Sequence, residues 1–214
     1  LLSVVAENYT YYGGAHPNSV SRTWSFDLTT GEFLTLDALS SEEGNINGDS
    51  LQTSIYQNIV SQIDGQGLSE AYFDDYDSYL SDFPAFATFY FTATGMTVAF
   101  DTYIIAPYAA GPQVFDVPYS VFYSALNERA KTLLEVPQEQ IVLSDFDTAA
   151  TLWSWLFITT PPTENTPDEM EINGYTYYQA DIQGVSTLAD MRELMYRFFD
   201  KALADRWLEE TERY

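Results

Sequence analysis

The sequence contains no cysteine. This excludes a disulfide scaffold, a thiol nucleophile and a metal site built from thiolates. No stretch approaches the roughly 20 consecutive apolar residues of a membrane-spanning helix. The sequence begins at Leu1 without a methionine or a basic segment, so we expect any targeting segment or membrane anchor to lie upstream of it.

Basic residues are scarce. Eight Lys and Arg stand against 32 Asp and Glu, a net charge of -24, and Arg22 is the only Lys or Arg before Arg129. So negative a surface repels phosphate backbones and anionic lipids, which argues against a nucleic-acid partner. It is either a docking surface for a basic partner or a solubilising coat, and composition leaves both open.

The usual catalytic and cofactor motifs are also missing. His16 is the only histidine, and no serine lies in a Gly-x-Ser-x-Gly turn, so we expect His16 to be a turn residue rather than a catalytic base. No Walker loop, dinucleotide fingerprint or zinc-binding histidine pair occurs. We therefore predict no catalytic residue and no cofactor. Paired carboxylates could in principle hydrolyse a glycoside, but in so acidic a chain their abundance gives that signal almost no weight.

The acidic run at residues 74–82 offers oxygen ligands for a metal ion. It lacks the glycine and the glutamate that an EF-hand loop requires. Asp145 and Asp147 are explained by capping of a helix. We therefore predict no metal site.

The pattern of apolar residues in the first half predicts strands and helices in turn. Residues 2–12, 21–28 and 33–36 are expected to form a three-stranded meander with a turn at 13–18. Ser50 is expected to cap a helix ending near residues 64–65. Its buried face is predicted to contain Leu51, Ile55, Ile59, Val60 and Ile63.

Strands and helices are predicted to continue through the second half. Residues 86–92 and 96–101 form a hairpin, 103–112 an ordered loop and 113–117 a strand, followed by a helix from Pro118 through Leu133. This order predicts an α+β fold, a mostly antiparallel sheet with helices packed on one face, followed by a small mainly helical C-terminal region. We place one domain at 1–136 and a small α+β or helical module at 145–214. The module is predicted to contain an Asn173-Gly174 hairpin and a helix starting at Ser186.

Aromatic residues are abundant, with 17 Tyr, 14 Phe and 4 Trp. Most must lie in the core, but Tyr103, Tyr108 and Tyr119 surround a loop rich in proline and glycine. We predict that these three have exposed edges for carbohydrate stacking or protein contact. With His16 they are the candidate binding residues.

Two blocks of residues 1–134 resemble a known family. Residues 9–17 (YTYYGGAHP) with 24–36, and residues 100–111 with 117–119, are similar to the extracellular domain of RsiV-type anti-sigma factors. The same domain accompanies the catalytic domain of PdaC-type peptidoglycan deacetylases. The family usually has a strand and a helix before the first block, so we expect these to be missing here. Residues 145–214 are faintly similar to small modules of Gram-positive surface lipoproteins.

The resemblance implies a non-catalytic, extracytoplasmic binding or sensing domain of a bacterial surface protein, secreted or anchored at the surface. The resemblance does not transfer the lysozyme ligand, but the charge imbalance before Arg129 predicts a basic protein such as lysozyme, or a cell-wall component, as the partner. One alternative is an accessory or inhibitory domain that docks a cell-wall hydrolase. A second alternative is a glycan hydrolase that uses paired carboxylates.

Overall fold

The computed structural model describes residues 1–67, 69–161, 163, 169–172, 175–178, 180–182 and 184–211. The strands are β1 (Leu2–Thr10), β2 (Asn18–Phe26), β3 (Thr88–Phe91), β4 (Gly95–Phe100), β5 (Gln113–Pro118), β6 (Glu169–Ile172) and β7 (Tyr175–Tyr178). The helices are α1 (Leu36–Leu39), α2 (Leu51–Gln66), α3 (Tyr76–Ser81), α4 (Phe83–Phe86), α5 (Tyr119–Phe122), α6 (Glu128–Leu133), α7 (Gln138–Phe157), α8 (Leu188–Met195) and α9 (Lys201–Thr211). Every pair of strands in these residues is antiparallel, and the predicted α+β class is confirmed.

The central sheet has the strand order β3-β4-β5 and lies against α2 and α5. The side chain of Ser50 accepts a hydrogen bond from the backbone N–H of Thr53 and begins α2 as predicted. The helix continues to Gln66 and ends at Gly67 in the left-handed conformation (φ 64°), slightly beyond the predicted stop. Of the five apolar positions predicted to face the core, Val60 is partly buried. The other four are fully buried: Leu51, Ile55, Ile59 and Ile63.

Strands β1 and β2 form a separate two-stranded ribbon beside β3. The backbone N–H of Phe91 donates to the Ser3 hydroxyl, and that of Phe89 to the Thr23 hydroxyl, both at 3.2 Å. The polar face of the ribbon therefore points toward the protein: Ser25 is 2% exposed, whereas Trp24 is 39% exposed. The third predicted strand, at residues 33–36, is reduced to one bridge between Phe26 and Phe33, because α1 begins at Leu36.

The prediction of one helix from Pro118 through Leu133 is wrong for the middle of that range. It is divided into α5, a 3₁₀ turn (Tyr123–Ala125) and α6. Leu126 is extended because it forms a β-bridge with Ser40. Asn127 then caps α6 by accepting from the N–H of Ala130, while its amide donates to the carbonyls of Ala38 and Ser40.

Helix α7 is continuous from Gln138 to Phe157, through the predicted boundary region 136–144. Pro137 stands at its N-terminus, where the missing N–H costs nothing. The single helix expected from Ser186 is instead two helices, because Asp200 accepts from the N–H groups of Ala202 and Leu203 and starts α9. The division into domains at 1–136 and 145–214 stays a prediction.

Strands β6 and β7 pair where the hairpin is predicted, but Asn173 and Gly174 themselves lie outside the described residues. Helices α8 and α9 enclose a small second core of Met195, Ala204 and Leu208. In the part of the chain that the structure describes, no helix is both long enough and apolar enough to cross a membrane.

Candidate functional site

The loop joining β1 to β2, residues 11–17, meets the loop that follows β4. The backbone N–H of Ser21 donates to Asp101 at 3.1 Å, and the hydroxyl of Tyr108 donates to the carbonyl of Pro17 at 3.1 Å. These contacts link residues about 80–90 positions apart in sequence. They bring together three of the four predicted binding residues.

His16 lies at the centre of this contact. Its Nδ1 donates to the carbonyl of Pro17 at 3.1 Å, and its ring stacks on Tyr108 with centroids 3.8 Å apart and planes 22° apart. The Pro17 carbonyl therefore accepts from both aromatic side chains, which uses both of its lone pairs. The His16 ring is thus hydrogen-bonded within its own turn, as predicted, and it also packs on a tyrosine of the neighbouring loop.

Tyr103 completes the group in an unusual backbone conformation. Its φ is 70°, and it occupies the third position of the turn in which the N–H of Ile104 donates to the carbonyl of Asp101. Glycine or asparagine is favoured at such a position, because a Cβ in the left-handed region costs about 1–2 kcal/mol. The ring is mostly exposed, with its centroid 5.5 Å from that of Tyr108 and 6.0 Å from that of His16.

We call His16, Tyr103 and Tyr108 the aromatic cluster. Two further exposed tyrosines, Tyr11 and Tyr12, lie in the same loop as His16; Tyr12 is 90% exposed, and the Tyr11 hydroxyl donates to the Gly14 carbonyl at 3.0 Å. Sequence reasoning did not select these two as site residues, although the run of aromatic residues before Gly13-Gly14 was a usable signal. Exposed aromatic faces bind sugar rings, apolar side chains or cations.

Tyr119 does not belong to the cluster, and the prediction that it has an exposed edge is wrong. Tyr119 is 1% exposed, and its hydroxyl donates to the Thr92 carbonyl at 3.0 Å. It begins α5 directly after β5, so its ring points into the core and contacts Phe122. Burial raises the pKa of the Tyr119 phenol to about 12.

Several of the few cations are already neutralised. Arg129 pairs with Asp27 at 2.9 Å and Glu32 at 2.7 Å, while Lys131 pairs with Glu128 and Arg192 with Asp205. The anionic character read from composition therefore persists at the surface. Among the described residues, no group of three or more His, Asp and Glu side chains is placed to hold a metal ion.

The surface also contains a polar cleft of about 770 Å³. It lies between the loop after α1, helices α6 and α7, and the segment that follows α8. Its charged lining residues are Asp37, Glu42, Glu43, Glu128, Lys131, Asp145 and Arg197. The cleft adds acidic groups to the surface but contains none of the residues of the aromatic cluster.

Gly13 and Gly14 shape the loop that holds His16, and both have positive φ (87° and 121°). Among the residues that the structure describes, no atom lies within 4 Å of a Cβ added at either position, so we expect substitution to act through backbone strain. We expect valine at either position to cost about 1–2 kcal/mol and to lower the melting temperature by about 2–8 °C. The matched control is Ala15→Val in the same loop, and unchanged melting of both glycine variants would contradict the expectation.

The fold and the aromatic cluster define an α+β domain with an aromatic surface at the end of a β-ribbon. Residues 45–120, which extend from before α2 to just after β5, match the model of a family described as a protein of unknown function (DUF3298). No curated protein matches the sequence. The matched residues include Tyr103 and Tyr108 but not His16.

Two solved structures are similar to part of the chain. One is a member of the DUF3298 family from Bacteroides fragilis NCTC 9343, with 18% identity and a TM-score of 0.45, covering 61% of this chain and 50% of that one. The other is a DUF3298 family protein from Pseudomonas aeruginosa PAO1, with 15% identity and a TM-score of 0.40, covering 60% of this chain and 56% of that one. The chain thus spans about half the length of each of these structures.

Proposed function

We propose that the chain is a non-catalytic, extracytoplasmic module of a bacterial surface protein that binds a basic protein, with lysozyme as the first probe. The observation that carries this proposal is the aromatic cluster. It presents a largely exposed tyrosine in a stretch of 128 residues with one Lys or Arg.

The backbone of Tyr103 supports a binding role. A folding requirement would be met more easily by glycine at φ 70°, and the exposed ring adds little to the core. Strain of this kind persists where the surrounding structure fixes it and often accompanies function. Here the stacked His16 and Tyr108 rings hold the position from one side and leave the Tyr103 ring available to a partner.

The charge of the surface supports a basic partner over a neutral one. A guanidinium or ammonium group over a tyrosine face gains roughly 0.5–2 kcal/mol, depending on how far it is desolvated. The surrounding negative field raises the rate of encounter with a cationic protein and is screened by salt. Binding should therefore be strong at low ionic strength and fall steeply as salt is added.

The test measures binding of lysozyme by titration calorimetry with the whole chain. Tyr103→Asn removes the ring and keeps a residue that tolerates the left-handed backbone. We expect it to weaken binding about tenfold, the loss of roughly 1.4 kcal/mol. The matched control is Phe86→Asn on α4, which removes another exposed ring and should leave lysozyme binding unchanged.

Three results would each contradict a part of the proposal. If lysozyme does not bind at low salt, the proposal of a basic partner is wrong. If Tyr103→Asn binds lysozyme as tightly as the wild type, the aromatic cluster is not the contact surface. Release of soluble muropeptides from peptidoglycan by the chain alone would contradict the non-catalytic part and favour the hydrolase alternative.

A further inference from the structure

Helix α7 carries an apolar face on its solvent side. Five exposed residues repeat at spacings of three or four positions, and we call them the α7 stripe: Val142, Phe146, Ala150, Trp153 and Phe157. On a helix this spacing places them within an arc of about 100°. The stripe runs about 22 Å along the helix, and Phe146 is 68% exposed.

The stripe is separate from the face that holds α7 in the fold. Ser144 and Leu152 are buried on the other side, where the helix packs against α5 and the adjoining 3₁₀ turn. The stripe is ordered at its C-terminal end, since Phe157 contacts Trp153 at 5.6 Å and Trp207 at 5.4 Å between ring centroids. The helix is thus apolar on two faces, of which one is buried and the other is covered only at its C-terminal end, where Trp207 of α9 contacts Phe157.

Such a row of exposed aromatic and aliphatic side chains exceeds the scattered apolar residues found on ordinary surfaces. Apolar residues at helical spacing are also the pattern by which two helices pack ridge against groove. A helix laid along α7 would cover the whole stripe. A partner with a single protruding side chain would leave most of it exposed.

The charges around the stripe identify the kind of helix that fits. Asp145 and Asp147 flank it on either side, Glu139 lies in the first turn, and the sequence has no Lys, Arg or His between Lys131 and Arg192. We propose that the α7 stripe is a docking surface for a basic amphipathic helix of a partner protein. Its apolar face would cover the stripe, and its Lys or Arg edges would face the two aspartates.

The same charges argue against other occupants. Two α7 helices from two copies would bring only carboxylates together along the seam, which is repulsive. An anionic lipid surface would be repelled by the same groups. The proposal does not rest on the aromatic cluster, which lies on a different part of the chain.

The test uses a fluorescent synthetic peptide of about 18 residues, long enough to span the stripe, with Leu on one helical face and Lys on the other. Binding to the whole chain is followed by fluorescence anisotropy. We expect Phe146→Asn to weaken binding at least about tenfold, and Asp145→Asn with Asp147→Asn to weaken it and flatten its salt dependence. Phe86→Asn, which removes an exposed ring on α4 outside both proposed surfaces, should have no effect, and a peptide with Glu in place of Lys should not bind.

A thermal melt followed by circular dichroism checks that the Phe146→Asn variant is folded. Because Phe146 is exposed, its replacement should leave the melting curve unchanged. Failure of the Lys peptide to bind, or equal binding by Phe146→Asn, would overturn the proposal. Dimers in sedimentation that dissociate with Phe146→Asn would assign the stripe to a second copy instead. Binding to phosphatidylcholine vesicles that depends on Phe146 would assign it to a lipid surface.

Discussion

Replacing Gly95 with alanine is expected to lower the melting temperature by about 10 °C, the effect of losing roughly 3–4 kcal/mol in a chain of this size. A Cβ on Gly95 would lie 2.1 Å from the carbonyl oxygen of Val117 and 2.9 Å from the Cα of Pro118. Both are backbone atoms of β5, in which Pro118 pairs with Gly95 and Val117 pairs with the next residue, Met96. No rotation of a side chain relieves that contact.

The neighbouring backbone is also held in place. The N–H of Tyr119 donates to the carbonyl of Thr94, and its hydroxyl donates to the carbonyl of Thr92. Moving β5 away from Gly95 would therefore weaken the sheet and the start of α5 together. This is why the expected loss exceeds the ordinary cost of a glycine substitution.

Gly65→Ala is the matched control for Gly95→Ala. Gly65 lies within α2, its φ is not positive, and no atom in the described part of the chain, outside the backbone of α2 itself, lies within 4 Å of an added Cβ. Alanine there should raise stability by about 0.5–1 kcal/mol. Thermal melts of the two variants should move in opposite directions, and a shift of less than a few degrees for Gly95→Ala would contradict the clash.

Elements with purely local signals were predicted well from the sequence. Helix α2 has a capping serine, one apolar face and a glycine at its end, and each of these acts within a few residues of its own position. The hairpin of β3 and β4 likewise depends on a short connection. The helix predicted from Pro118 failed because a distant residue, Ser40, pairs with Leu126 and keeps it extended.

The ribbon of β1 and β2 shows a different limit. Alternation of polar and apolar residues predicts two faces but not which face points inward. Here the hydroxyls of Ser3 and Thr23 accept hydrogen bonds from β3, so the polar face is the inner one. Trp24 is consequently exposed, against the usual expectation for a half-buried strand.

The candidate site was predicted in part. Loop composition pointed to Tyr103 and Tyr108, and the turn around Gly13-Gly14 pointed to His16. Their stacking depends on contacts across about 90 residues, which no local pattern encodes. Tyr119 was misjudged because a single residue after Pro118 gives no periodicity to tell core from surface.

The ion pairs of Arg129 were likewise invisible to sequence reasoning. Arg129 lies on α6, whereas Asp27 and Glu32 lie in the turn that follows β2. Asp27 also accepts from the N–H groups of Thr29 and Thr30 at 2.8 and 3.4 Å and is itself buried. One carboxylate therefore joins the end of the β-ribbon to a helix about 100 residues later.

This arrangement predicts a specific loss of stability in acid. The hydrogen bond from Arg129, with those from Thr29 and Thr30, lowers the pKa of Asp27 from 3.8 to about 2, and Arg129 also lowers the pKa of Glu32. Since the folded-state pKa of Asp27 is below the unfolded value, the unfolded chain takes up the proton first as the pH falls. The stabilisation is therefore complete above about pH 4 and is lost as the pH falls toward about 2.

The experiment compares melting temperatures of the wild type and Asp27→Asn between about pH 7 and pH 2, the range set by these pKa values. The asparagine keeps an acceptor for the Thr29 N–H but cannot pair with Arg129 as an anion. We expect Asp27→Asn to melt several degrees lower at neutral pH and the difference to shrink steadily below about pH 4.

Comparing the two proteins cancels the general relief of charge repulsion that acid brings to so acidic a chain. Asp74→Asn, at an exposed position before α3, is the control for loss of one negative charge and should show no such convergence. A difference between wild type and Asp27→Asn that stays constant down to about pH 2 would mean that the Arg129 pair contributes nothing that depends on the charge of Asp27.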